Sequence, residues 1–418
     1  MKKVWKNYKQ TLILLLSLVI GAIIGLVFGE KTEILKPFGD LFMNLMFVII
    51  VPLIFLTITT SIAKIKQPKR LGKVLRSIVI TFIATSLIAC AVGLVSTYST
   101  KLVNPNDATA IKETLTEEEE LTTDEDKNFL ERTVEAISVD DFTKILSKNN
   151  IIALVIISIL VGIATNKVGE DAKKFEEFLN SANKVVLKLV DIIFLYAPIG
   201  LGCYFAALIG TFGSEIAVGF GKTFIIYLVV SLLYYFIVYS LFAYIGAGKK
   251  GVKAFWTNIV PATATSISTC SSAASIPANI KSAKGIGIPD DIAETMIPLG
   301  TSFHKDGSII GSVFKVMFLV YLFGTEASVG QVIIVSLIAN LLVTAVPVGG
   351  GTISEMMIIT SMGFPVAALP ILTIIATIID PPATMLNVVG DTASAMLTTR
   401  AVDGKDWINK KAKEKRTK

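Results

Sequence analysis

Charge is in short supply in this chain: 17% of its 418 residues are Asp, Glu, Lys or Arg, where average proteins carry roughly a quarter. With 53% hydrophobic residues and a mean hydropathy of +0.68, it is too apolar for a soluble globular protein and reads as a polytopic membrane protein. Cysteine is scarcer still, at three residues. Cys90, Cys203 and Cys270 include no close pair, which excludes a disulfide framework and a zinc-ligand spacing and leaves them as buried small residues. No Gly-rich phosphate-binding loop occurs, so nucleotide-driven pumping has no support and no cofactor is expected. Histidine occurs once, at His304.

What is present is a series of apolar runs, at 12–28, 41–60, 78–95, 151–164, 192–209 and 224–245, most near the roughly 20 residues that a spanning helix needs. The run at 151–164 is short and must borrow flanking residues. Lys2, Lys3, Lys6 and Lys9 precede a first run that is long for a signal peptide and lacks a small-x-small cleavage site, so a retained span with a cytoplasmic N-terminus is expected. Lys64, Lys66, Lys69, Arg70, Lys73 and Arg76 then crowd a loop without a single acid. The segment 104–148, with consecutive acids at 117–120 and 124–126, belongs outside as a polar loop. Lys410, Lys411, Lys413, Lys415, Arg416 and Lys418 return the C-terminus to the cytoplasm. The net charge of +6 is thus explained by orientation in a cell membrane, without a nucleic-acid partner.

Polar residues inside the apolar stretches carry the functional signal. Asp380, Thr384, Asn387 and Asp391 fall at i, i+4, i+7 and i+11, which stacks them on one helix face. A carboxylate at the centre of a bilayer costs roughly 2.5 to 3.5 kcal/mol on insertion scales, and its default reading is a substrate or ion pathway. Ser302-Phe-His-Lys-Asp-Gly-Ser308 interrupts another apolar helix with three successive ionisable groups, His304, Lys305 and Asp306. The stretch 251–284 has Lys249, Lys250 and Lys253 before it and Lys281 and Lys284 after it. Both ends then face the cytoplasm, which makes it a re-entrant hairpin with its tip at 271–275. A second hairpin at 326–364 is interrupted by Ala345-Val-Pro-Val-Gly-Gly-Gly-Thr352. Each hairpin precedes a helix pairing acid with glycine, Asp306-Gly307 and Gly390-Asp391. Paired interrupted segments point to inverted repeats with a binding site between them.

This order of a basic N-terminus, three spans, a variable loop, three more spans, a Ser-rich hairpin, a D-G-[ST] break, a Gly-rich hairpin and D-x-x-x-T-x-x-N-x-x-x-D resembles the dicarboxylate/amino acid:cation symporter family. The resemblance implies an all-α polytopic membrane protein of eight transmembrane helices plus two re-entrant helical hairpins, acting as an elevator transporter and usually a homotrimer. By it, 1–73 would hold scaffold helices 1 and 2, 74–103 transport-domain helix 3, 104–148 an extracellular acidic loop and 149–213 scaffold helices 4 and 5. The transport domain would occupy 214–400 and a basic cytoplasmic tail 401–418. Asp380 and Thr384 would receive a substrate ammonium, and Asn387 its α-carboxylate, with Ser271, Ser272 and nearby amides. Ser308 and Ala383 would line the site, and Val346 to Gly350 would close as a gate. Asp306 and Asp391 match the family's sodium-binding aspartates, with Gly300, Asn387, Thr85 and Ser86 completing that region.

The chain also departs from the family pattern. Acidic-substrate relatives carry an arginine three residues after the motif aspartate, where this chain has Ala383; Cys270 stands where others have arginine before the serine run. A second substrate carboxylate would be desolvated without a fixed partner, so a small neutral amino acid is expected. The asparagine and methionine that sodium-coupled relatives place before the aspartate are here His304 and Lys305. An ammonium about 4 Å from a bound cation costs about 4 kcal/mol at an effective dielectric of 20. Lys305 is therefore expected to displace sodium, with proton coupling or none preferred. A sodium-coupled aspartate, glutamate or dicarboxylate symporter and a passive channel are the competing readings. An intramembrane aspartyl protease is disfavoured because Val388-Val-Gly-Asp391 lacks the first glycine of G-x-G-D, and no enzymatic activity is expected.

Overall fold

The computed structural model describes residues 2–63, 72–103, 138–147, 150–212, 214–342 and 352–408, and these are helical without a strand among them. Most of the basic loop, most of the acidic segment, the tip of the second hairpin with Val346 and Gly350, and the last basic residues fall outside that set. The main helices are α1 (Lys2–Phe28), α2 (Lys36–Ala63), α3 (Gly72–Thr100), α4 (Ile151–Val168), α5 (Lys173–Phe194), α6 (Ala197–Phe212), α7 (Ser214–Leu233) and α8 (Tyr239–Asn258). The first hairpin is α9 (Val260–Thr269) and α10 (Ser272–Ile286). A broken helix follows, α11 (Asp290–Phe303) and α12 (Asp306–Phe323), then the arms α13 (Val329–Leu342) and α14 (Thr352–Met362), and the long α15 (Leu369–Asp403).

Small residues set how the first helices pack. Gly21 and Gly25 of α1 lie against Gly202, Ala206 and Ile209 of α6, while Gly39 and Phe42 of α2 lie against Tyr204 and Gly200 of the same helix. Residue numbers rise together in the first pairing and oppositely in the second, so α1 and α2 run antiparallel, each packed on α6, and are joined by the 3-10 turn Gly29–Leu35. The continuous apolar stretch Leu12–Thr60 is therefore two crossings. In lipid, where apolar burial gives helices no mutual attraction, such close backbone approach supplies the packing.

The run at 192–209 is not one straight helix. α5 ends at Phe194 and α6 starts at Ala197, and the two are bent by 55°. Pro198 accounts for the break, since it has no N–H to bond the Phe194 carbonyl four residues back and its ring crowds that carbonyl. The run at 151–164 does extend, to Val168.

A second set of contacts surrounds α15, which is packed by α8, α10, α11, α12 and α3. Among the described residues five stretches are long and apolar enough to cross a membrane, and a sixth if the bent pair counts as one. Between α7 and α8 the residues Tyr234–Val238 form a π-turn. α8 then breaks at Ala247 and Gly248, where Gly248 takes φ +63°, open to glycine at little cost. The Arg400 guanidinium donates to the Ile245 carbonyl, and Trp407 Nε1 donates to Gly246 O at 2.9 Å, so the last residues of α15 and beyond seal the carbonyls freed at that break.

Gly21→Leu should destabilise the protein by about 1–3 kcal/mol through overpacking, because a Cβ there meets the Gly202 carbonyl carbon at 3.2 Å. Gly221→Ala, with open space around it, should leave the melting temperature in detergent unchanged.

Candidate functional site

The first hairpin turns at Cys270, in left-handed geometry with φ +45°, and at Ser271, which caps α10 by accepting from Ala274 N at 3.2 Å. Ser272 follows at the start of α10, buried, with the free amides of that first turn around it. Asn279, two turns on, donates to Val388 O at 2.7 Å and accepts from the Thr392 hydroxyl at 2.6 Å. Ile267 of α9 and Pro381, Pro382 and Met385 of α15 line one apolar cavity. This register runs α10 alongside α15 and sets the hairpin turn level with Thr384.

On α15 the polar stripe is continuous. α15 passes through Pro381 and Pro382 as helix, so the two prolines neither end it nor break it. The Thr384 hydroxyl donates to Asp380 Oδ1 at 3.1 Å, and Asp380 is half-buried. Asn387 faces the broken helix: its Oδ1 accepts from Ser308 N at 3.0 Å and its Nδ2 donates to Ser308 Oγ at 3.0 Å. Ala383 lies under Gly307, where a Cβ would stand 2.8 Å from Ala383 Cα. Glycine beside each acid thus permits helix contact. At Gly390 a Cβ would fall 2.8 Å from Asp306 Oδ2 and 2.7 Å from the Tyr239 hydroxyl oxygen.

The break in the α11/α12 helix exposes an ionisable cluster to itself and not to water. His304, Lys305, Asp306 and Asp391 are each at most 1% exposed. His304 lies between the carboxylates: Nδ1 is 3.0 Å from Asp391 Oδ1, and Nε2 is 3.1 Å from Asp306 Oδ1 and 2.8 Å from Thr85 Oγ1. The Thr85 hydroxyl donates to Thr81 O at 2.9 Å, so it accepts from Nε2. With the carboxylates ionised, both ring nitrogens are donors, which is the cationic imidazolium. Phe82 stacks on the ring at 4.4 Å with 10° between planes. Tyr239 adds a hydroxyl 3.2 Å from Asp306 Oδ2 and 2.7 Å from Leu386 O.

Lys305, expected to occupy this position, instead donates to Ser302 O at 2.8 Å, behind the histidine. The backbone decides between them: Lys305 is the residue before α12, with its side chain directed back along α11, whereas His304 faces α3 and α15. Gly300 packs directly under the Asp391 carboxylate, and its carbonyl accepts from His304 N at 2.8 Å. Ser86 is buried next to Thr85 and is not joined to the cluster by a hydrogen bond among the described residues. Formal charges balance, His304 and Lys305 against Asp306 and Asp391. A metal cation at that point would require the imidazole to leave.

Tyr239, Phe82, Asn279 and the buried Lys315 and Glu355 were not singled out from the sequence. Lys315 and Glu355 carried a signal, since each is a lone ionisable group in an apolar run. The aromatic residues did not, because their apolar bodies match the surrounding composition.

Residues 11–401 match the model of the sodium:dicarboxylate symporter family. The chain belongs to that family. It is 25% identical over 409 residues to a proton/sodium-glutamate symport protein of Bacillus caldotenax, covering 92% of each chain. It is 25% identical over 449 residues to mouse excitatory amino acid transporter 2, covering 91% of this chain and 78% of that one. A C4-dicarboxylate transport protein of Acidovorax sp. (strain JS42) is 26% identical over 339 residues, covering 78% and 72%. The family is one of transporters, and its members are multi-pass membrane proteins coupled to cations.

Removing the imidazole in His304→Ala leaves two buried carboxylates short of a counter-charge, a loss of about 3–5 kcal/mol when one partner of a buried pair is deleted. The melting temperature should fall sharply, and His304→Ala/Asp391→Asn should recover part of the fall. An additive double variant would mean that the two side chains are not coupled.

Proposed function

We propose that this protein is a secondary carrier of small neutral L-amino acids such as serine, threonine, alanine or cysteine, with weak or absent sodium coupling. The carrying observation is the α15 stripe with an acid for an ammonium and, among the described residues, no free cation beside it. Asp380 and the Thr384 hydroxyl suit a substrate ammonium, while Asn387, Ser308 and the amides at Ser271 and Ser272 suit a carboxylate. Ala383 offers nothing to a second carboxylate, and Lys315, further along α12, is taken up by Glu355 at 3.5 Å.

The sodium reading follows from His304. An imidazolium that bridges Asp306 and Asp391 supplies in covalent form the positive charge that the family's members take from solution. Movement of the site across the membrane fits a two-body carrier. Helices α1, α2, α4, α5 and α6 would be the stationary scaffold, and α3 with everything from α7 to α15 the moving body, gated by the segment with Val346 and Gly350. A homotrimer with both termini in the cytoplasm completes the proposal, on the strength of family resemblance and of the flanking lysines.

The relatives named for glutamate and C4-dicarboxylates favour a second reading, sodium-coupled uptake of an acidic substrate. Uptake into proteoliposomes of labelled serine, threonine, alanine, cysteine, aspartate and glutamate, with and without sodium, separates the two. Serine should compete better than aspartate, and replacing choline by sodium should change affinity less than about twofold. Aspartate binding roughly tenfold tighter than serine would sink the neutral-substrate reading. Asp380→Asn should abolish uptake while eluting as native protein.

His304→Asn replaces the bridging cation with a neutral amide and frees its space. Uptake by this variant should become sodium-dependent. Retention of sodium-independent uptake at the wild-type level would show that the imidazole does not replace an ion.

A further inference from the structure

A second face of α15 repeats the spacing of the polar stripe in apolar residues: Ile374, Ile378, Pro381 and Met385 fall at i, i+4, i+7 and i+11. Pro381 follows Asp380 by one residue, about 100° further round the helix, so the two stripes point in different directions. The apolar stripe forms one wall of a cavity of about 670 Å³, within the roughly 300–1,000 Å³ of small-molecule sites. Leu18 and Ala22 of α1 and Phe205 of α6 form another wall, and Phe220 and Leu228 of α7 with Ile267 of α9 complete it. Among the described residues no ionisable or hydrogen-bonding side chain lines it. Leu18, Phe205, Phe220 and Met385 are buried, whereas Val19, Ile23 and Leu232 at its edge are exposed. The rings of Phe205 and Phe220 meet edge to face at 5.2 Å.

The cavity walls choose the occupant. Helices α1, α7 and α15 each belong to a stretch long and apolar enough to cross a membrane, so the exposed edge opens on bilayer hydrocarbon. Water finds no hydrogen-bond partner on such side chains, and an unfilled void costs its lining their dispersion contacts. The two longest stretches outside the described residues, the acidic 104–137 and the basic 409–418, would carry ions into it. A flexible hydrocarbon chain from the surrounding lipid fills the space without either cost. We propose that the cavity binds one acyl chain of a bilayer phospholipid, and that this chain holds the two bodies of the carrier together. The second half rests on the carrier reading above, in which α1 and α6 stay fixed while α7, α9 and α15 move. The walls come from both bodies, so sliding one past the other reshapes the cavity. A chain that fits this arrangement better than the other favours it by that difference in affinity, and must withdraw before the site crosses. Substrate is left untouched, because Asp380 lies on the other face of α15.

Photolabelling tests occupancy without reference to transport. The full chain is reconstituted into phosphatidylcholine vesicles containing a phosphatidylcholine with a diazirine on one acyl chain, irradiated, and mapped by peptide mass spectrometry. Buried Leu18, Phe220 and Met385 should carry label along with exposed Leu16 and Val229. Label confined to exposed positions overturns the proposal. Ala22→Trp and Ala217→Trp, from α1 and α7, each place a ring in the cavity from a different wall. In either variant the label on Phe220 and Met385 should fall roughly tenfold relative to Leu16. Exchange of labelled L-serine against internal L-serine should slow roughly tenfold with KM within about twofold of wild type, since a tethered ring cannot withdraw as a lipid chain does. Unchanged label at Phe220 and Met385 in both variants, from protein that elutes as native, overturns the site. Loss of that label with exchange at the wild-type rate overturns the hold on movement. A wild-type protein that labels in the cavity but exchanges no serine supports the chain site and defeats the carrier reading beneath its second half.

Discussion

A buried imidazole held between two carboxylates, with a phenyl ring on its face, is the interaction around which this molecule is arranged. The aspartates come from different helices: Asp306 opens α12 and Asp391 lies in α15. Neither helix would tolerate its acid at this depth unless the opposite charge were delivered at the same point. The break after Phe303 makes delivery possible, because it lets the chain turn out of helical geometry long enough for His304 to face both. Phe82 and Thr85 commit α3 to the same point. The close approach at Gly307 and Gly390 follows from the need to bring the acids within reach of one ring.

The same logic recurs at lower density along α15. Among the described residues, charges inside the bundle come in matched sets, the histidine cluster and the Lys315–Glu355 pair, while Asp380 stands with a hydroxyl for company. An unmatched carboxylate in an otherwise balanced interior is the expected form of a site for a cation that arrives with a ligand. Backbone groups at the end of hairpin one and amides near Ser308 provide the complementary donors. The asymmetry between compensated and uncompensated acids therefore does more to support the proposed binding site than the apolar cavity does.

Much of this was readable before any coordinates. The polar stripe at Asp380, Thr384, Asn387 and Asp391 depends on helical period alone, and the hairpin at 271–275 follows from lysines on both sides of a serine run. Long apolar runs gave the crossings, apart from 192–209, where one proline divides a stretch that composition treats as uniform. What sequence did not settle was direction. His304 and Lys305 are adjacent, both cationic and both buried, and only the local backbone at a helix break decides which one turns inward. Tyr239 and Phe82 were invisible for a different reason, since an aromatic ring in a membrane helix is unremarkable until its polar edge or stacked face finds a partner.

The π-turn at Tyr234–Val238 makes the spacing of that partner unusually exacting. One residue of helix corresponds to about 100° of rotation, and the widened turn sets the phase of everything after it. Tyr234 and Tyr235 precede the wide turn's end and Tyr239 follows it, yet their rings meet, 5.2 Å and 6.4 Å between centroids. Shortening this stretch by a single residue would swing the Tyr239 hydroxyl away from Asp306 and Leu386 towards lipid. Side chains on the outer face of the helix can vary freely, whereas its length between Leu233 and Tyr239 cannot; here the functional constraint falls on a count of residues and not on their identity.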